Sequence, residues 1–140
     1  MRLSPGIFKE LGRELIHAKM HPTKRQRTLG DRAFKAHFSL CSVGCSDLWF
    51  ELKTLENAEV SKEFLCAKPC HLLWTLFFFH VYSNEEVNAN FIGVTPKTFR
   101  KHTWCVIDAL NVLSGKIVSH ILFLSFITNL KLSRKTNNDL

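Results

Sequence analysis

Apolar residues in this chain recur mostly at every third or fourth position, the spacing that lines one face of a helix. Ile7, Phe8, Leu11, Leu15 and Ile16 follow it, giving a short amphipathic segment that ends before His21-Pro22, because a residue ahead of proline is pushed out of helical geometry. Asp31 can cap a helix over residues 31–38 that carries Phe34 and Phe38. Ser42 can cap a second, over residues 42–55, in which Cys45, Leu48, Trp49, Leu52 and Leu55 recur. Residues 56–68 are polar and charged and read as a connecting loop with room for a helical turn, before Pro69 allows a fresh start. Residues 70–82 are apolar around nearly the whole circumference, through Leu72, Leu73, Trp74, Leu76, Phe77, Phe78, Phe79 and Val81, and are expected to form the central buried helix. The three consecutive phenylalanines would suit a strand, but the length and the lack of alternation favour helix.

Ser83 and Glu86 have the spacing of a capping box, and Val87 and Phe91 lie one turn apart, so a short helix over residues 84–92 should run to Gly93. Thr95 can cap the next helix, over residues 95–114, with Pro96 at its first position, where the missing N–H costs nothing. Steps of about 100° per residue put Phe99, His102, Val106, Ala109, Leu110 and Leu113 on one stripe. Lys97, Arg100, Lys101, Trp104 and Asn111 fall on the other side. Two helices joined by Gly93, Val94 and Thr95, the second basic on its outer face, match a helix-turn-helix, although a hairpin in an ordinary bundle shares the pattern.

Ser114-Gly115 is a natural helix stop. Beyond it Ile117, Val118, Ile121, Leu122, Phe123, Leu124, Phe126, Ile127 and Leu130 make a strongly apolar segment, interrupted by Ser119, His120, Ser125 and Thr128. It is shorter than the ~20 residues a bilayer asks for, so it reads as a packing helix or strand and no membrane span is expected. Residues 133–140 are polar and expected to be disordered. The expected fold is therefore all-α, a small helical bundle containing a helix-turn-helix. Residues 1–30 form a basic N-terminal arm with a short amphipathic helix, 31–116 the helical domain, and 117–140 an apolar segment and polar tail.

Charge sharpens this picture. Nineteen Lys and Arg against twelve Asp and Glu give a formal net charge of +7 over 140 residues, a balance that favours polyanions such as nucleic acid or anionic lipid without choosing between them. Much of the excess lies early, where Arg2, Lys9, Arg13, Lys19, Lys24, Arg25, Arg27, Arg32 and Lys35 face only Glu10, Glu14 and Asp31. Lys24, Arg25 and Arg27 form a short cluster between Pro22 and Gly30 that can lie along a phosphate backbone, serve as a nuclear import signal, or be a solvated loop. Charged residues interrupt the first turns, which therefore do not resemble a secretory signal, and the chain is expected inside the cell, in the nucleus if the source is eukaryotic and otherwise in the cytoplasm.

Five cysteines, an odd number without a secretory signal, argue against a disulfide framework. Cys41 and Cys45 with Cys66, Cys70 and His71 raise a zinc hypothesis, since two pairs of soft ligands can complete a tetrahedron. Cys45 and Cys70 fall on apolar helix faces, however, and free cysteine is among the most buried residue types, so core packing is preferred and no metal or cofactor is expected. A lone His80 on the apolar helix reads as a hydrogen-bonded or edge residue. Metal-dependent strand cleavage needs several carboxylates converging on cations, and from the second of the paired helices onward only Asp108 and Asp139 remain; no phosphate-cradling glycine loop or serine elbow is present. A non-enzyme is expected.

The run His71-Leu72-Leu73-Trp74-Thr75-Leu76, then Val81-Tyr82, then Pro96-Lys97-Thr98-Phe99-Arg100-Lys101 and Trp104 resembles the helical N-terminal region of Harbinger-like DDE transposases. The likeness covers roughly Phe34 to Ser119 and departs at His102, where those proteins usually carry a second tryptophan. In such transposases this region precedes an RNase H-like nuclease domain. The resemblance implies a DNA-binding helix-turn-helix domain, truncated before its catalytic part; with it, the outer face of the second helix makes Lys97, Arg100, Lys101 and Trp104 candidate DNA contacts, and the N-terminal basic cluster adds Lys24, Arg25 and Arg27. Two other readings stand beside it. One is a helical protein-interaction module that meets a partner or a second copy through the apolar C-terminal segment; the other is a degenerate transposon fragment without present function.

Overall fold

A computed structural model describes residues 2–20, 30–55, 60, 62–81 and 83–138. Seven helices make up the described residues, with no strand among them: α1 (Pro5–Met20), α2 (Asp31–Phe38), α3 (Ser42–Lys53), α4 (Lys62–Leu65), α5 (Pro69–Val81), α6 (Glu85–Ile92) and α7 (Pro96–Asn138). The expected all-α bundle is what forms.

Helix ends follow local hydrogen bonding, and several starts sit one residue from where the side chains suggested. Gly30, not Asp31, is the N-cap of α2; it offers no side chain, and Asp31 instead pairs with Lys9 of α1 at 2.6 Å. Cys41 takes the cap of α3, its Sγ accepting from the Gly44 N–H at 3.3 Å, while Ser42 is buried as the first helical residue. Asn84 caps α6 through Oδ1, which accepts from the Val87 N–H at 2.8 Å. Ser83 cannot fill the capping-box role because its Oγ accepts from the buried Asn88 Nδ2 at 2.5 Å. The polar 56–68 stretch does hold a helical turn, α4, whose Phe64 is buried. Lys53 at the end of α3 donates to the Phe64 and Ala67 carbonyls at 3.3 Å each, and its ammonium lies over the Trp49 and Phe64 rings at 4.8 Å.

Helix α5 is central, touching α1, α2, α3, α6 and α7. Leu72, Leu73 and Phe77 are buried, but Phe79 and Val81 are 43% exposed, so its outer edge stays open to water instead of being covered all round. His80 sits on that edge, its Nδ1 2.7 Å from the Ser39 hydroxyl. Helix α1 belongs to the core: Phe8 and Ile16 are buried, and α1 packs on α3 and α5. Three cations at this end of the chain are paired: Arg2, ahead of α1, with Asp47 at 2.5 Å, and in α1 Lys9 with Asp31 and Arg13 with Glu10. Lys24, Arg25 and Arg27 lie outside the described residues.

The largest departure is α7. No stop occurs at Ser114-Gly115, and the helix runs unbroken for 43 residues. A glycine ends a helix when it takes the left-handed conformation, and Gly115 does not, the sole positive-φ glycine among the described residues being Gly93. No proline follows Gly115, and an interior glycine disfavours a helix by only roughly 1 kcal/mol, too little to end one that is already anchored upstream. The first half of α7 is anchored by buried Phe99, Val106, Ala109 and Leu113; beyond it Ile117, Val118, Ile121, Leu122, Phe123, Leu124 and Phe126 are half to two-thirds exposed. Pro96–Asn129 is long and apolar enough to cross a membrane by length and composition, with an 18-residue window of mean hydropathy 1.6 that is 6% buried. The shortness on which the expected absence of a span rested is thus removed by the unbroken helix.

A Cβ on Gly115 would meet nothing within 4 Å. Gly115→Ala should therefore raise helicity and stabilise α7 by up to about 1 kcal/mol, whereas Gly115→Pro should break it. Circular dichroism and urea unfolding check this; a destabilising Gly115→Ala would restore the helix stop.

Candidate functional site

Between α6 and α7 the chain reverses in three residues. Gly93, at φ 92°, ends α6 in the left-handed region. The N–H groups of Gly93 and Val94 both reach the Ala89 carbonyl, at 2.8 and 3.0 Å. Thr95 then opens α7 as its sequence suggests, with Pro96 as the first helical residue. The Thr95 Oγ1 accepts from the Thr98 N–H at 3.2 Å.

The buried side of α7 is an aromatic seam against α5. Phe99 is wholly buried between Trp74, with ring centroids 6.4 Å apart, and Phe78, at 5.7 Å. One turn on, His102 stacks on His71 at 4.0 Å with the rings 13° from parallel, and Trp74 meets His71 edge-on at 4.7 Å. His71 Nδ1 accepts from the Lys68 N–H at 3.0 Å, capping the start of α5. An accepting Nδ1 leaves the ring neutral, with its proton on Nε2. That bond occupies His71 as a structural group. Cys45 is buried, with its thiol pushed up to about 12 by desolvation, while Cys66 is exposed. Among the described residues no three His, Cys, Asp or Glu side chains come together in a way that could hold a metal ion.

The outer side of α7 carries Lys97, Arg100, Lys101, Trp104 and Asn111, all exposed. Arg100 and Trp104 are four residues apart and so on one face, where they share a carboxylate. Arg100 Nε donates to Glu85 Oε2 at 2.7 Å, and Trp104 Nε1 donates to Glu85 Oε1 at 3.1 Å. Those two bonds, the one from Arg100 foremost, hold the Glu85 carboxyl below its usual range. Lys97 and Lys101 form no ion pair among the described residues. A cleft of about 600 Å³ opens here, lined by Glu63, Glu85, Arg100, Lys101, Trp104, Cys105 and Asp108. The basic face is thus edged by three carboxylates, of which Asp108 shares the helical repeat of Lys101 and Trp104 while Glu63 and Glu85 come from other helices, where that repeat could not reveal them. Glu85 was visible only as a first-turn acid of α6, and its partner lies across a turn, a distance no helical repeat reports. Asp108 falls in this cleft, whereas Asp139 lies outside the described residues.

No protein-family model, curated protein or solved structure matches this chain.

The stacked histidines give the fold a pH dependence. Burial, followed by the charges of His102, Lys68 and Lys53, lowers the His71 pKa from 6.5 to about 4, and burial also lowers that of His102. A lowered histidine pKa means the unfolded chain takes the proton first, so the His71 contribution is complete above pH about 6.5 and is lost as pH falls toward 4. Urea unfolding should show a loss of about 2 kcal/mol between pH 7.5 and 5, flattened in His71→Gln. A parent chain equally stable at both pH values would contradict the buried neutral stack.

Proposed function

We propose that this chain binds DNA, as a helix-turn-helix domain of transposase origin in which α6 and α7 are the paired helices and the first turns of α7 enter the major groove. One observation carries the reading: Lys97, Arg100, Lys101 and Trp104 stand exposed on the outer side of a helix whose opposite side is locked to the core through Phe99 and His102. A rigidly seated helix with cations at its start suits groove recognition, because lysines release counterions from phosphate and arginine can pair with a guanine edge. The resemblance of His71–Leu76, Pro96–Lys101 and Trp104 to Harbinger-like transposases supports the same reading. Glu63, Glu85 and Asp108 weaken phosphate binding in the cleft that Lys101 also lines, which leaves Lys97, outside that lining, as the backbone contact they oppose least. Lys24, Arg25 and Arg27 add a sequence-independent contact in this reading, and the chain acts as a binder, not as an enzyme.

Titration of duplex DNA at two salt concentrations tests this. Lys97→Ala should weaken all duplexes about equally and shrink the salt slope by roughly one unit. Arg100→Ala should cost on the order of 1 to 3 kcal/mol on a preferred duplex and less on random DNA. Unchanged affinity in a folded Lys97/Arg100/Lys101 triple-alanine variant would remove the recognition-helix assignment.

A second reading, a helical interaction module that self-associates, is favoured by the far half of α7. Its apolar residues face every direction, and a helix apolar all round is normally covered. Under this reading the parent sediments as an oligomer and Leu122→Gln/Phe126→Gln as a monomer; a parent that stays monomeric at every concentration excludes it.

A further inference from the structure

The contact between Glu85 and Arg100 looks at first like a mask, a carboxylate occupying the cation that DNA would need. Its geometry points the other way. Glu85 engages Arg100 through Nε alone, at 2.7 Å, and Nη1 and Nη2 make no other hydrogen bond among the described residues. The guanidinium side chain is 66% exposed, so the edge carrying its two terminal nitrogens is accessible. A guanine offers two acceptors, O6 and N7, in the major groove, and the terminal edge of a guanidinium matches them in one plane. Glu85 is itself fixed, since its second oxygen accepts from Trp104 Nε1 at 3.1 Å and its backbone lies in the first turn of a helix capped by Asn84. A long side chain that ordinarily samples many rotamers is thereby held at one end by a partner anchored on a different helix.

We propose that Glu85 is a positioning residue that orients Arg100 to read a guanine edge, and that Trp104 fixes Glu85 in that role; this rests on the DNA-binding reading above. The same carboxylate disfavours loose phosphate contacts by Arg100, because it sits beside the guanidinium and repels the backbone. The arrangement thus trades general affinity for selectivity.

The test starts from the full chain and a random-sequence duplex pool. Duplexes enriched by the parent are compared with unselected duplex for the parent, Glu85→Gln and Trp104→Phe, with circular dichroism confirming the fold. Glu85→Gln should lower the ratio of selected to random affinity by roughly tenfold while binding to random duplex holds or rises and its salt slope grows by about one unit. Trp104→Phe, which keeps every charge and removes the donor to Glu85 together with one ring of the indole, should lower the ratio by a smaller factor in the same direction. Replacing the guanines of the selected duplex with 7-deazaguanine, which lacks the N7 acceptor, should weaken the parent and leave Glu85→Gln nearly unaffected. A Glu85→Gln variant that gains affinity equally on both duplexes, or changes neither, overturns the proposal while leaving DNA binding intact. If Glu85→Gln does not fold, an unchanged ratio in Trp104→Phe together with no effect of 7-deazaguanine on the parent overturns it. A parent that enriches nothing, and binds no better than the triple-alanine variant, overturns this proposal and the DNA-binding reading together.

Discussion

The aromatic seam between α5 and α7 fixes where every exposed residue of α7 can point. Phe99 is wholly buried against Trp74 and Phe78, and His102 lies flat on His71 one turn later. Burying a phenylalanine contributes roughly 1.5 to 3 kcal/mol, so this contact alone is a sizeable fraction of a small domain's stability. It also sets rotation. With Phe99 and His102 inward, Lys97, Arg100, Lys101 and Trp104 must face outward, and Arg100 and Trp104 are brought to Glu85 at the start of α6. The tight turn at Gly93 keeps α6 close enough for that bridge.

The same seam explains why α7 has two unlike halves. From Phe99 to Leu113 an inward stripe is covered by the bundle, whereas past Gly115 the apolar side chains from Ile117 to Phe126 are half or more exposed. Backbone hydrogen bonding needs no such cover, so the helix continues while those side chains meet solvent. Thr128 turns its hydroxyl back on the helix, donating to the Leu124 carbonyl at 2.9 Å.

Helix positions were legible in the sequence because they depend on neighbours three or four residues away. The stripe of Phe99, His102, Val106, Ala109 and Leu113, the opening of α7 at Thr95-Pro96 and the closing of α6 at Gly93 all answer to that short range. Cap identities were less legible, since several polar residues compete at each boundary and tertiary contacts decide among them. Asn84 caps α6 because Ser83 is taken by Asn88, and Cys41 caps α3 because Ser42 is buried. Ser114-Gly115 misled because a glycine stops a helix only where the next residues gain by leaving it. The basic face was legible as a pattern of exposure. Its acidic edge was not, because Glu63 and Glu85 come from other elements and reach it only through folding.

The central claim is that a lysine-bearing outer face of α7 is the surface that meets DNA. Lysine acetylation footprinting, read by mass spectrometry with and without duplex, tests it at individual side chains. The account predicts that duplex protects Lys97 and Lys101 strongly while Lys35, exposed on α2, reacts as before. Protection that misses Lys97 and Lys101, or falls on Lys35 equally, would contradict it.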